Sequence, residues 1–378
     1  MSALHAVSQM SRLDLNNSAT GGILDDVYAG ICDPGTDEPD LAAINPDTRR
    51  LARQLLESAR NRTFTQAEEV LRAGKFALAA GLASDAVEMT QRARSRNSPD
   101  VAAPLGYALL RSGQFNEVLK LSPAEAGKSP HQRAVLGILR GRAQEKLGQF
   151  DDARLSMRAA LAEEPGNPRV MSRLGLIELT HGDRREAAIL LDRARNAAQD
   201  ATSTLRLEAE YDWATGDFSG SADVYAKLMK RGNAETYDPF PASLGRARAL
   251  IYAGQTGLAE DALNTAGKLL PDDPFVRYYR ALLEYRLGHY GRAVELAQPL
   301  DTRLRDFPRL NLLIGAASLA NGYYETGAHR LRRYLESEPA NLNVQALLVA
   351  AEARLANPAD TTALPKARLL AAFDFPTD

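Results

Sequence analysis

Eight glycines set the register of this chain of 378 residues: Gly81, Gly113, Gly148, Gly182, Gly216, Gly254, Gly288 and Gly322. Successive spacings are 32, 35, 34, 34, 38, 34 and 34 residues. A chain punctuated so evenly repeats one small unit rather than building one large core. The stretch 281–293, Ala-Leu-Leu-Glu-Tyr-Arg-Leu-Gly-His-Tyr-Gly-Arg-Ala, shows what the unit is. Leu282, Leu283 and Leu287 share a helical face, and Gly288 can take the positive φ that closes a helix. Tyr290 then plugs the corner, and Ala293 lets the following helix approach the first closely.

The same corner returns through the chain. Bulky corner residues are Phe115, Phe150, Phe218, Tyr290 and Tyr324, small ones are Ala86, Ala153, Ala187, Ala259 and Ala293, and Pro165, Pro271 and Pro339 mark repeat ends. A period near 34 is that of tetratricopeptide (TPR) helix hairpins. The expected fold is therefore all-α, a TPR-type α-solenoid: a right-handed superhelix of about eight hairpins plus capping helices. Hydrophobic content of 45% suffices for a continuous core, and the low 6% of aromatics suits Ala- and Leu-rich helix stacks. One hairpin buries one side only, so each repeat leans on its neighbours.

Along the chain, 1–45 reads as a poorly ordered polar arm, with Asp33-Pro34-Gly35-Thr36-Asp37-Glu38-Pro39-Asp40 as its breaker cluster. Residues 46–62, opened by Asn45 and Pro46, read as a capping helix. The solenoid spans 63–342, and 343–378 holds a C-terminal helix, Val344 to Leu355, and an irregular tail. Repeat two is abbreviated, since Pro123 follows soon after Val118-Leu119-Lys120-Leu121. In repeats three and four, Gly141 and Gly175 stand where a side chain would block a neighbour's approach. An insertion around 232–239 lengthens repeat five.

Chemistry is hard to place on this frame. The single cysteine, Cys32, excludes an intramolecular disulfide framework and a cysteine-based zinc site. His5, His131, His181, His289 and His329 are scattered and read as surface residues, three of them in or beside turns. Gly127-Lys128-Ser129 imitates the end of a phosphate loop, but position 122 is Ser122, and Pro130 follows where a helix should start. No catalytic pair, metal site or cofactor is expected, and the chain reads as a non-enzyme. A net charge of −2 and a pI near 6.3 give nucleic acid and anionic membranes no reason to bind. No apolar run approaches a membrane span of about 18–20 residues. With no readable signal peptide, and Ala29-Gly30-Ile31 a poor lipobox, the sequence reads as cytoplasmic.

A binding surface is the better expectation. In stacked hairpins of this type the first helix of each repeat lines the concave face. Placing each helix by its turn glycine puts Arg206, Glu210 and Trp213 there from repeat five, Arg248, Ile251 and Tyr252 from repeat six, and Tyr278, Tyr285 and Arg286 from repeat seven. Aromatics interleaved with arginine are what peptide-binding hot spots use, so the expected partner is a protein or peptide segment in the groove. The competing reading for Trp213 and Tyr285 is that they pack between repeats.

Finally, Leu109-Leu110-Arg111-Ser112-Gly113-Gln114-Phe115-Asn116-Glu117-Val118-Leu119 is followed by Leu136-Gly137-Ile138-Leu139-Arg140-Gly141-Arg142-Ala143. Tyr278-Tyr279-Arg280-Ala281-Leu282-Leu283-Glu284-Tyr285 is followed by Leu313-Ile314-Gly315-Ala316 and Tyr334-Leu335-Glu336-Ser337-Glu338-Pro339. Over roughly 64–356 this succession resembles the PrsT-type TPR proteins of bacterial exosortase (PEP-CTERM) systems. The resemblance implies a non-enzymatic, envelope-associated protein acting with exopolysaccharide synthesis and protein sorting. It also makes exopolysaccharide a second candidate partner for the groove.

Overall fold

The computed structural model describes residues 67–79, 81–98, 101–122, 129–231, 239–357, 369–370 and 373. The expected arm over 1–45, the capping helix over 46–62 and most of the insertion in repeat five lie outside these. The described residues form α-helices and no strands. In order they are α1 (Ala67–Ala79), α2 (Ala83–Ser95), α3 (Ala102–Arg111), α4 (Phe115–Leu119), α5 (Pro130–Lys146), α6 (Phe150–Glu163), α7 (Pro168–His181) and α8 (Arg184–Ala198). These are followed by α9 (Thr202–Thr215), α10 (Phe218–Arg231), α11 (Pro239–Tyr252), α12 (Thr256–Leu269), α13 (Pro274–Leu287), α14 (Tyr290–Ala297), α15 (Pro308–Ala320), α16 (Tyr324–Ser337) and α17 (Leu342–Ala356). Odd-numbered α1 to α15 are the first helices of eight hairpins, and α17 is one more first helix. The α-solenoid expected from the period is the fold.

Each turn is built by the same backbone chemistry. Seven of the eight register glycines have φ between 74° and 87°, where a side chain is disfavoured. The residue after the glycine returns its N–H to the carbonyl five places back: Gln149 to Gln144 at 2.8 Å, His289 to Glu284 at 2.9 Å, Tyr323 to Ser318 at 2.9 Å. This is the Schellman closure, which satisfies carbonyls the ending helix leaves open. The second helix then begins with the half-buried corner ring, and its fourth residue (Ala86, Ala153, Ala187, Ala259 or Ala293) is fully buried.

First helices start by a different device. Ser129 forms a capping box with Gln132, and the side chains of Asn167, Asp273 and Asn341 accept from the first-turn N–H groups of their helices. Pro130, Pro168 and Pro274 hold the first position after their caps, where a missing N–H costs nothing. The apparent phosphate-loop ending at Ser129 is thus a helix cap.

Three expectations need correction. Gly182 is not left-handed (φ −140°, ψ −133°). The next helix is capped by the Asp183 side chain instead, and a Cβ on Gly182 would run into the Glu178 carboxylate. The final helix starts two residues before Val344, because Asn341 caps it. The tail after it is not wholly irregular: Leu369 and Leu370 are helical, and Leu369 and Phe373 are buried. By contrast, the close approaches expected at Gly141 and Gly175 are present. An added Cβ would lie 2.8 Å from the Met157 methyl and 2.7 Å from a Leu207 methyl, respectively.

The chain divides into two compact units. The first takes in Met1–Tyr211 with Lys230–Asp238, the second Asp212–Met229 with Pro239–Asp378. In the first, apolar clusters join α1 to α5 and α5 to α8. In the second, one core runs from Trp213 to Phe373, and first helices touch their successors, α11 with α13 and α13 with α15. The second helix of repeat seven, α14, ends early in a single 3₁₀ turn at Gln298–Leu300. Pro299 supplies no N–H to continue it.

Candidate functional site

Along α13, Tyr278, Leu282 and Tyr285 are spaced four and three residues apart, which aligns them on one face of the helix. Tyr252 of α11 and Arg286 of α13 are 34 residues apart and hold the same register position in successive repeats. The structure stacks them: the Arg286 guanidinium lies 4.8 Å from the Tyr252 ring centre. Beside them Arg248 lies 4.1 Å from the Trp213 ring centre. Trp213 meets Tyr252 edge-on at 4.8 Å and Phe218 at 5.0 Å. Arg309, which opens α15, donates from Nη1 to the Tyr252 hydroxyl at 3.2 Å.

This arrangement alternates aromatic faces with guanidinium groups across repeats five to eight. Each such contact is worth about 0.5–2 kcal/mol, rising as water is excluded. Arginine suits the position because its flat group can stack while its edges remain donors. The Arg286 Nε is buried and has no hydrogen-bond partner, so this edge has unspent donor capacity.

The residues expected to line a groove separate into two sets. Trp213 is 4% exposed, and Tyr278, Tyr285 and Ile251 are buried as well, so their contribution is packing. Arg248, Tyr252 and Arg286 are half-buried and form the reachable edge of the same stripe. Arg206 is exposed and Glu210 half-buried; both belong to the first unit. Burial pushes the Tyr285 phenol well above its ordinary range, with Tyr290 adding to the shift and Arg286 opposing it. The hydroxyl stays neutral and donates to the Leu369 carbonyl at 2.8 Å.

Two contributors were missed by the sequence reading. Arg309 stands 34 residues after Phe275, so its register position was readable, but nothing in the sequence ties it to Tyr252. Phe218 was read only as a corner residue, although its ring also completes the Trp213–Tyr252 cluster.

The first unit is held differently. Glu178 of α7, 1% exposed, receives Arg158 at 3.0 Å and Arg154 at 3.5 Å, and accepts the Asp183 N–H at 3.1 Å. Arg173 pairs with Glu145 at 2.7 Å, Arg133 with Glu163 at 2.7 Å, and Arg195 with Glu208 at 3.2 Å. Hydrogen bonding from Arg133 holds the Glu163 carboxyl below its usual range. Among the described residues no group of three or more His, Cys, Asp or Glu could hold a metal ion. His131 and His289 instead contact single carboxylates, Glu164 at 2.7 Å and Glu284 at 2.8 Å. No described helix is long and apolar enough to cross a membrane.

Residues 138–201 match the tetratricopeptide repeat family model. That segment covers most of α5 through α8, the most regular hairpins. No curated protein matches the chain. Among solved structures, a tetratricopeptide repeat protein from Parabacteroides merdae is similar at 15% identity, covering 66% of this chain and 97% of that one, with a TM-score of 0.49. PilW, a widely conserved type IV pilus biogenesis factor, is similar at 18% identity over 57% of this chain and 98% of its own, with a TM-score of 0.47. The pilF protein of Pseudomonas aeruginosa is similar at 14% identity over 59% and 100%, with a TM-score of 0.46.

Proposed function

We propose that the chain is a non-enzymatic TPR scaffold that holds a protein segment along the inner face of its first helices. The observation that carries this is the stack of Arg248, Tyr252 and Arg286, where half-buried guanidinium edges sit on aromatic faces in consecutive repeats. Such an edge recognises carboxylates and backbone carbonyls, and the packed rings beneath it keep the donors in place at low entropic cost. A glycan would need open aromatic faces to lie on. Trp213 and Tyr278 are buried, which favours a peptide over exopolysaccharide.

The wider role we propose is in a bacterial exosortase-associated system. The order of motifs resembling the PrsT-type proteins supports it. Exosortase and glycosyltransferase genes beside the coding sequence would support that context, and their absence would leave a generic adaptor.

The binding claim is tested by screening a displayed library of random peptide segments against the immobilised full chain and its Arg286→Glu variant. Enrichment of acidic or aromatic segments on the wild type, with affinity at least tenfold weaker on the variant, is the expected result. Retention of polysaccharide on a glycan array, with no segment enriched, would overturn it in favour of glycan handling.

A further inference from the structure

The face of repeat seven expected to meet a partner is already covered, and what covers it comes from the far end of the chain. Tyr285 donates to the Leu369 carbonyl across 84 residues of sequence, and the Phe373 ring sits 4.9 Å from the Tyr285 ring. Leu369 and Phe373 are 3% and 1% exposed and belong to the same core as Leu282 and Tyr285. Between them and this site the chain has completed α14, α15, α16 and α17. The tail therefore does not stack on α17 as another repeat would; it returns to a side chain two repeats earlier.

Its chemistry is that of a ligand for this stripe. An aromatic ring enters beside Tyr285, a backbone carbonyl takes the phenol's proton, and Phe373 is followed in sequence by Asp374-Phe375. The adjoining Arg286 keeps a buried Nε–H with no hydrogen-bond partner. Tyr285 is conspicuous among the predicted groove residues for being fully buried, and the tail is one of the elements that buries it.

Resting on the reading of this face as a segment-binding surface, we propose that residues 369–373 are an internal ligand. They occupy the Tyr285 pocket in the resting chain and are displaced by a partner segment carrying an aromatic residue next to an acid. The partner class is thus a peptide resembling the tail, and the tail sets a threshold its affinity must exceed. A ligand that binds only the tail-released state has its apparent affinity reduced by the fraction of chains in that state.

The probe is a fluorescein-labelled synthetic peptide of residues 366–378, titrated into the full chain and followed by anisotropy. Phe373→Ala should bind it at least tenfold tighter than the wild type does, and adding Tyr285→Ala should abolish the gain. Circular dichroism melts of all three proteins report folding. Equal binding by wild type and Phe373→Ala, or none by either, would show the tail to be a fixed part of the core and overturn the proposal. Should Phe373→Ala fail to fold, hydrogen exchange on the wild type decides. Amides of 369–373 exchanging through a local opening while α13 stays protected is expected; exchange of both only on joint unfolding overturns it. A wild type that dimerises with concentration through this tail would overturn the intramolecular form. Library segments that bind Phe373→Ala while the tail peptide does not would reject the internal ligand alone, leaving the segment-binding face standing.

Discussion

Repeats three and four and repeats six and seven use one hairpin plan, yet the material between their helices differs. In the first pair, α5 to α8 are tied by carboxylate–guanidinium contacts, with Glu178 buried under Arg154 and Arg158 and with Arg173 on Glu145. In the second, α11 and α13 meet through rings and guanidinium groups: Arg248 on Trp213, Arg286 on Tyr252. The 34-residue period fixes where a side chain sits and leaves open how it is satisfied. A paired arginine has little left for a partner, whereas a stacked one keeps its edge. The same geometry thus yields a self-contained stack in one place and a receptive one in another.

The largest test of this contrast is Arg158→Ala. It leaves the buried Glu178 carboxylate with one cation fewer and should cost about 2–3 kcal/mol in urea unfolding. A loss near zero would mean the buried charge is satisfied without it.

Next come the two kinds of register glycine. Gly182→Ala must push the Glu178 carboxylate aside and should cost about 2 kcal/mol, most of which should vanish in a Glu178→Ala background. Gly288→Ala meets no atom within 4 Å, only the strain of φ 87°, and should cost about 1 kcal/mol in any background. Equal costs, with no coupling to Glu178, would erase the distinction.

Smaller again is Arg286→Met, which keeps the packed stem and removes the charge above Tyr252. About 0.5–1 kcal/mol is expected, with segment binding lost far out of proportion to stability.

The smallest effect is in acid. Glu163 and Glu164 have carboxyls held below the ordinary 4.5. For Glu164, bonds from Asn167 and His131 outweigh the opposing effect of burial. A depressed folded pKa means stabilisation that is present above the unfolded value and lost as pH falls through the folded one. Below about pH 4.5 the α5–α6 hairpin should therefore weaken. Trp213, the sole tryptophan, reports on the second unit, so circular dichroism should register the acid transition before fluorescence does. Coincident transitions would show that the two regions do not respond separately.

How much of this was legible beforehand follows from the range of each interaction. Turn glycines such as Gly288, buried alanines such as Ala293, helix caps such as Asp273 with Pro274, and the close approaches at Gly141 and Gly175 are local or act between neighbouring repeats. Their signatures lie within one period. Gly182 shows the limit: the period marked it correctly, but the reason for a glycine there is a carboxylate four residues back rather than a left-handed turn. Arg248, Tyr252 and Arg286 were readable as a stripe, because helical spacing assigns faces. That Tyr278 and Tyr285 on the same stripe are buried was not.

The sequence by itself determined the hairpin, its period, its stops and the direction each first helix faces, because these depend on φ preferences, missing N–H groups and side-chain size at fixed offsets. Only the tertiary structure decided which arginine stacks and which pairs, and that Phe373 returns to Tyr285 across four intervening helices. Those contacts join residues whose separation follows no period, and the energy that selects them exists only once the helices are side by side.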